Sequence, residues 1–191
     1  MKKKILYIAA ILICLSIISS GTYAYFTKEA TARNVITTGG IEVRVVEYKM
    51  ENGERVPYTA PSLPVMPGKT VSKIVTVECL QRDAWLRARY TVEVFDEDGK
   101  KLDIPAAELE QAIIIEPDDI AWTETNGWWY YQDSIAGDSP STPLFETVRF
   151  AHKEMDNKYQ GCTVEIKVIA QAVQKVNNGT TITEAHGWPE D

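Results

Sequence analysis

Strict two-residue alternation over two long stretches limits this chain more than any other feature. In residues 84–94, Ala84, Leu86, Ala88, Tyr90, Val92 and Val94 fall on one side, and Trp85, Arg87, Arg89, Thr91 and Glu93 on the other. Successive side chains of a strand point to opposite faces, so this pattern predicts a strand with one buried and one wet face. Residues 162–173 repeat it. Cys162, Val164, Ile166, Val168, Ala170 and Ala172 point one way; Ile169 and Val173 interrupt the polar side. Val71, Val75, Val77 and Cys79 share a face with Lys73, and Ile41, Val43 and Val45 begin another run. The phase then shifts to Val46 and Tyr48, which predicts a β-bulge near Val45.

Shorter strand candidates are 113–116, 128–132 and 145–150. They are separated by turn sequences such as Asp96-Glu97-Asp98-Gly99, Asn126-Gly127 and Asn177-Asn178-Gly179. A helix is predicted over 105–111, with Pro105 at its first position, and a helical turn over 152–157. Many strands and little helix imply an all-β fold, a two-sheet antiparallel sandwich of jelly-roll type with one or two short helices.

The N-terminus has a different logic. Lys2, Lys3 and Lys4 precede an apolar stretch over 5–18, and small residues lead to Ala24. This is the layout of a secretory signal peptide cleaved between Ala24 and Tyr25. A retained membrane anchor is the alternative, but a span needs about 20 apolar residues and this core is shorter. The expected organisation is a signal peptide over 1–24, an N-terminal segment over 25–40 and a β-sandwich domain over 41–191. Removing the leader leaves 17 Lys+Arg against 27 Asp+Glu, a net charge of −10. Such an acidic chain argues against a nucleic-acid partner, whose affinity rests on Lys and Arg meeting phosphate.

Candidate chemistry is sparse. The two histidines, His152 and His186, lie far apart in sequence, and neither has the i, i+4 partner of a zinc-peptidase helix. No metal ligand set, cofactor or catalytic residue is therefore expected. The oxygen-rich loops Asp96-Glu97-Asp98-Gly99 and Glu116-Pro117-Asp118-Asp119 lack the spacing of a calcium loop, and the first reads as a hairpin turn. Cys79 and Cys162 both fall on apolar strand faces. Outside the cell they are either a disulfide pair or two buried thiols. Trp122, Trp128, Trp129, Tyr130 and Tyr131 form an aromatic cluster. It reads either as a carbohydrate platform or, by alternation, as rings divided between the core and the outer sheet surface.

Several stretches together resemble the TasA/camelysin family of exported Gram-positive proteins. They are Gly21-Thr22-Tyr23-Ala24-Tyr25-Phe26-Thr27, Ile36-Thr37-Thr38-Gly39-Gly40-Ile41-Glu42-Val43, Met66-Pro67-Gly68-Lys69-Thr70-Val71 and Asn157-Lys158-Tyr159-Gln160-Gly161. Asn126-Gly127-Trp128-Trp129-Tyr130-Tyr131 is in the style of the clostridial branch. The resemblance implies a jelly-roll subunit of secreted matrix or cell-surface fibres in a biofilm, processed by the signal peptidase SipW. The implied partners are further copies of itself and, in addition, an anchoring or nucleating matrix protein. It also brings an alternative, since camelysin relatives are classed as surface metallopeptidases; this chain lacks a paired-histidine motif. In that family subunits polymerise by donating an N-terminal strand. Here the corresponding donor residues are Phe26, Val35 and Ile36, in a segment whose 35–38 stretch is strongly β-prone, and Gly39 and Gly40 form the hinge.

Overall fold

A computed structural model describes residues 41–189. The expected signal peptide, the expected Ala24–Tyr25 cleavage site, the expected donor residues Phe26, Val35 and Ile36, and the expected hinge Gly39–Gly40 lie outside the described residues.

The strands are β1 (Glu42–Glu51), β2 (Glu54–Pro57), β3 (Leu63–Pro64), β4 (Thr70–Leu80), β5 (Ala84–Phe95), β6 (Ile113–Ile115), β7 (Trp122–Thr125), β8 (Trp128–Tyr131), β9 (Ser139–Pro140), β10 (Phe145–Phe150) and β11 (Thr163–Gln174); one helix, α1 (Ala106–Ala112), precedes β6. They form two antiparallel sheets, so the domain is an all-β two-sheet sandwich. The first sheet runs β2-β1-β4-β10-β6, with β9 also pairing β4, and the second runs β3-β11-β5-β8-β7. Type I′-like Asn-Gly turns, which need positive φ at both residues, close β1 onto β2 and β7 onto β8. Asn52 and Gly53 have φ 53° and 85°, and Asn126 and Gly127 have 54° and 78°.

The inward sets are those the alternation marks. Ala84, Leu86, Ala88 and Val94 of β5 join Val164, Ile166, Val168, Ala170 and Ala172 of β11 in one core with Val43, Val75, Val77 and Cys79 of the first sheet. Burying each large aliphatic side chain contributes about 1.5–3 kcal/mol, so these two long strands supply much of what holds the layers together. β5 and β11 are paired without interruption from Ala84↔Gln174 to Phe95↔Thr163.

Lys73 is the exception on the inner face. Its side chain is 5 % exposed, and its Nζ donates to Glu47 Oε2 at 2.6 Å; the Glu47 side chain keeps 27 % exposure at the rim. The ammonium also lies 4.3 Å from the centroid of the Tyr58 ring. A charge so placed needs its partner, because desolvation is offset only by the ion pair and the ring.

Three local expectations are corrected. The bulge near Val45 is absent: β1 and β4 pair continuously from Glu42↔Leu80 to Tyr48↔Ile74. The apolar phase shift arises because both faces of β1 are half-covered. The irregularity lies instead in β10, between Phe145 and Thr147. Pro105 caps α1 from outside with extended ψ 141°, so the helix starts one residue later than expected. The turn expected over 152–157 is a 3-10 turn at Asn157–Tyr159, started by Asp156, whose side chain accepts from the Lys158 backbone N–H. The Asp96 stretch is the expected turn: Leu102 N donates to Val94 O at 2.8 Å, and Asp96 Oδ1 accepts from the Asp98 and Lys100 backbone.

Candidate functional site

Topology brings one strand edge beside the entrance to the domain. The start of β1 pairs with the end of β4, with Val43 opposite Cys79. Only residues 81–83 separate β4 from β5, and Ala84 at the start of β5 faces Gln174 at the end of β11. The chain therefore enters β1 at the end of the sandwich where β11 finishes, and β1 lies against β11 across the layers. Among the described residues, β3 meets β11 only at Thr163 and Val164. Ten of the twelve residues of β11 run on past β3, a length of about 33 Å at the usual rise. Val168, within that stretch, is engaged.

The outer face of the second sheet carries its own apolar cluster. Residues 175–189 leave β11, fold back and lay Ile182 and Ala185 on Trp85 and Val173, with Tyr130 and Trp188 at the margin. Trp85 is thus 3 % exposed although it lies on the expected wet face. Arg87 links the parts. Its Nε donates to Gln171 Oε1 (2.8 Å), Nη1 to Tyr130 Oη (3.2 Å) and Nη2 to the Pro189 carbonyl (3.1 Å). Its guanidinium carbon lies 4.2 Å from the Trp128 ring centroid and 4.9 Å from that of Trp188, and Arg89 also stacks on Trp128 at 4.6 Å. Such stacks are each worth about 0.5–2 kcal/mol, most when desolvated.

The aromatic cluster divides between the two faces. Trp129 and Tyr131 pack on the inter-sheet core, where Trp122 is fully buried with its ring 5.0 Å from Tyr131; Trp128 and Tyr130 face outward under the arginines and Trp188. These rings are occupied by packing contacts.

Cys79 and Cys162 are free and buried. One sits at the β4 end beside the start of β5 and the other just before β11, opposite Phe95 at the far end of β5. That separation is on the order of 30 Å, against the roughly 7 Å limit for a disulfide, so the pairing considered from sequence is not made. Burial pushes both thiols up in pKa. Cys79 Sγ donates to Arg82 O and Cys162 Sγ to Lys158 O.

No family model, curated protein or solved structure matches this chain.

The two histidines are not brought together. His152 packs on Gly68 near the start of β4, whereas His186 N donates to Asn178 Oδ1 at the opposite end. Among the described residues no three His, Cys, Asp or Glu side chains form a metal-ligating group. In the Glu116 loop, Asp118 Oδ1 accepts from the Ile120 and Ala121 backbone, and Glu116 pairs with Arg149. Sequence reasoning missed Arg87, Gln171 and Trp188. The signal for them was present: Trp85 and Val173 are apolar on faces that alternation assigns to water, so something must cover them.

Proposed function

We propose that this chain is a secreted structural subunit of extracellular matrix or cell-surface fibres, as its resemblance to the TasA/camelysin family implies, with a jelly-roll domain assembling by strand exchange. In this reading residues 25–40 add to the β3 side of β11, in their own subunit or in a neighbour. The observation that carries it is that β1 enters the sandwich at the end where β11 finishes, so a strand leading into β1 arrives beside β11. Fourteen residues from Tyr25 to Thr38 reach about 46 Å when extended, enough for that strand. A strand tethered by Gly39–Gly40 that joins a neighbour rather than itself makes a head-to-tail, non-closing chain of subunits.

Magnitudes say which donor residues matter. Each added backbone hydrogen bond contributes about 1 kcal/mol net, and fixing each donor residue costs about 1–2 kcal/mol. The backbone terms thus nearly cancel. Apolar side chains, each worth about 1.5–3 kcal/mol when buried, decide the outcome, and Val35, Ile36 and Phe26 fill that role.

The test is deletion of residues 25–36 from the secreted protein, followed by circular dichroism and sedimentation. A folded variant that stays monomeric, with the parent capped by added peptide 25–38, supports the reading. A folded variant that polymerises like the parent ends it. Val35→Asp with Ile36→Asp is expected to block assembly without unfolding the sandwich.

A further inference from the structure

The last residues of β11 are the place where this acceptor edge would be expected to fray. β5 holds one side of them; on the other side, among the described residues, β3 pairs with Thr163 and Val164 at the opposite end of the strand, and Val168 between is engaged. Strand ends at a sheet margin open at low free-energy cost unless something ties them down. In this chain the segment that follows β11 does so. Lys175 N donates to Asp83 O, and Asn177 (φ 58°) and Gly179 (φ 81°) turn the backbone round. Trp85 Nε1 donates to Asn178 O at 2.8 Å. The Asn178 amide then clamps His186 through both its oxygen and its nitrogen. The segment finishes with Trp188 on Arg87 and edge-on to Tyr130, 5.8 Å between ring centroids.

We infer that residues 175–189 are a strap that pins the C-terminal half of β11 to β5 and β8, and thereby sets the edge on which an added strand closes. Its consequence for assembly rests on the strand-exchange reading above; the pinning itself does not. Arg87 is the central tie: one guanidinium holds Gln171 of β11, Tyr130 of β8 and Pro189 of the strap. Gln171 is buried despite its polarity because that bond satisfies it. The side-chain contacts that the strap makes with the second sheet fall on its outer face, and the backbone bond from Lys175 to Asp83 continues the β11–β5 ladder, so none is on the side of β11 where β3 pairs. The strap therefore stiffens the acceptor strand without competing for its edge. Trp188 acts through Arg87 and is a positioning residue.

The experiment uses the full secreted chain and two readouts, amide hydrogen exchange and binding of a labelled peptide spanning residues 25–38. Trp188→Ala is expected to speed exchange over 170–174 about tenfold while β4 exchanges as in the parent. Peptide affinity should fall about tenfold, because an opened acceptor must first be reordered. Trp188→Phe, which keeps a ring over Arg87, is expected to restore both. Asn178→Ala removes the amide that folds the strap back onto His186 and should reproduce the effect if Trp188→Ala fails to fold. Unchanged exchange in 170–174 overturns the strap. Faster exchange with undiminished peptide affinity overturns its role in setting the edge. If the peptide does not bind the parent, strand exchange falls instead, and the exchange data still judge the strap.

Discussion

Replacing Glu47 by Gln should damage the fold far more than replacing its partner Lys73 by Met. The reasoning starts from unequal burial: the Lys73 side chain is 5 % exposed, that of Glu47 27 %. In Glu47→Gln the ammonium stays where it is, between the sheets, and loses its carboxylate. Breaking a buried pair in this way costs about 3–5 kcal/mol. The Gln oxygen still accepts one bond, and the Tyr58 ring at 4.3 Å still attracts the cation, which lowers the expected loss to about 2–4 kcal/mol. In Lys73→Met the buried charge disappears, the aliphatic volume is nearly kept, and Glu47 turns to water at the rim. A loss of about 0–1.5 kcal/mol follows. The double variant buries no charge and should recover at least half of what Glu47→Gln loses. Urea unfolding at neutral pH, at concentrations where sedimentation gives a monomer, reads the order from Cm at constant m. For a domain of this size Glu47→Gln should lower Tm by roughly 5–15 °C. Equal losses for the two single variants, or no rescue in the double, would show that Lys73 is hydrated and the argument from burial mistaken.

The Glu93 carboxyl, between Lys101 and Lys167, is held below the usual Glu range by hydrogen bonds from both lysines. Because the folded pKa is the lowered one, its stabilising contribution is present above the ordinary value of about 4.3 and fades as pH falls through the native one. Glu93→Gln should flatten that acid limb in pH-dependent thermal unfolding, lying below the parent at pH 7 and converging with it at low pH. A thiol reagent should modify neither Cys79 nor Cys162 until the protein is unfolded, and non-reducing mass spectrometry should find both reduced; a linked pair contradicts the described separation. Gly137→Ala is expected to destabilise by about 1–3 kcal/mol, since a Cβ there meets Arg82 N and Gln81 C and O at 2.7 Å; parental Cm would show that the 81–83 and 137–139 loops give way. N-terminal sequencing of secreted protein should begin at Tyr25, and a chain beginning at Met1 would make the leader an anchor.

The long strands were legible because their periodicity is enforced by burial on one face. Ala84, Leu86 and Ala88, or Val164, Ile166 and Val168, cannot be shifted by one residue without turning the core out to water. β3 and β9, two residues each, have no period to read. β2 and β7 hid for another reason: they are hairpin partners stabilised by the Asn52-Gly53 and Asn126-Gly127 turns and by cross-strand pairing, and their own sequences carry little alternation. The free state of Cys79 and Cys162 was beyond sequence, since both lie on inward faces and only the chain path puts them at opposite ends of β5. The proposed acceptor strand was half legible: the Gly pair and β-prone 35–38 suggested a donor, but which strand lies beside the start of β1 depends on the chain path. The strap left a trace in Trp85 and Val173, apolar residues on nominally wet faces.

The unbroken ladder between β5 and β11 also fixes how the domain would answer to tension. Twelve consecutive residue partners join the two strands, from Ala84↔Gln174 to Phe95↔Thr163. Pull applied along β11 loads these links together, in shear, whereas a pull across the strands would open them one at a time like a zip. A subunit held by a strand lying along β11 receives its load in the first direction. Force passes through β11 into β5, and through the three residues 81–83 into β4 and the opposite sheet. Rupture should then begin at the shorter borrowed strand, and the sandwich should outlast the joint between subunits.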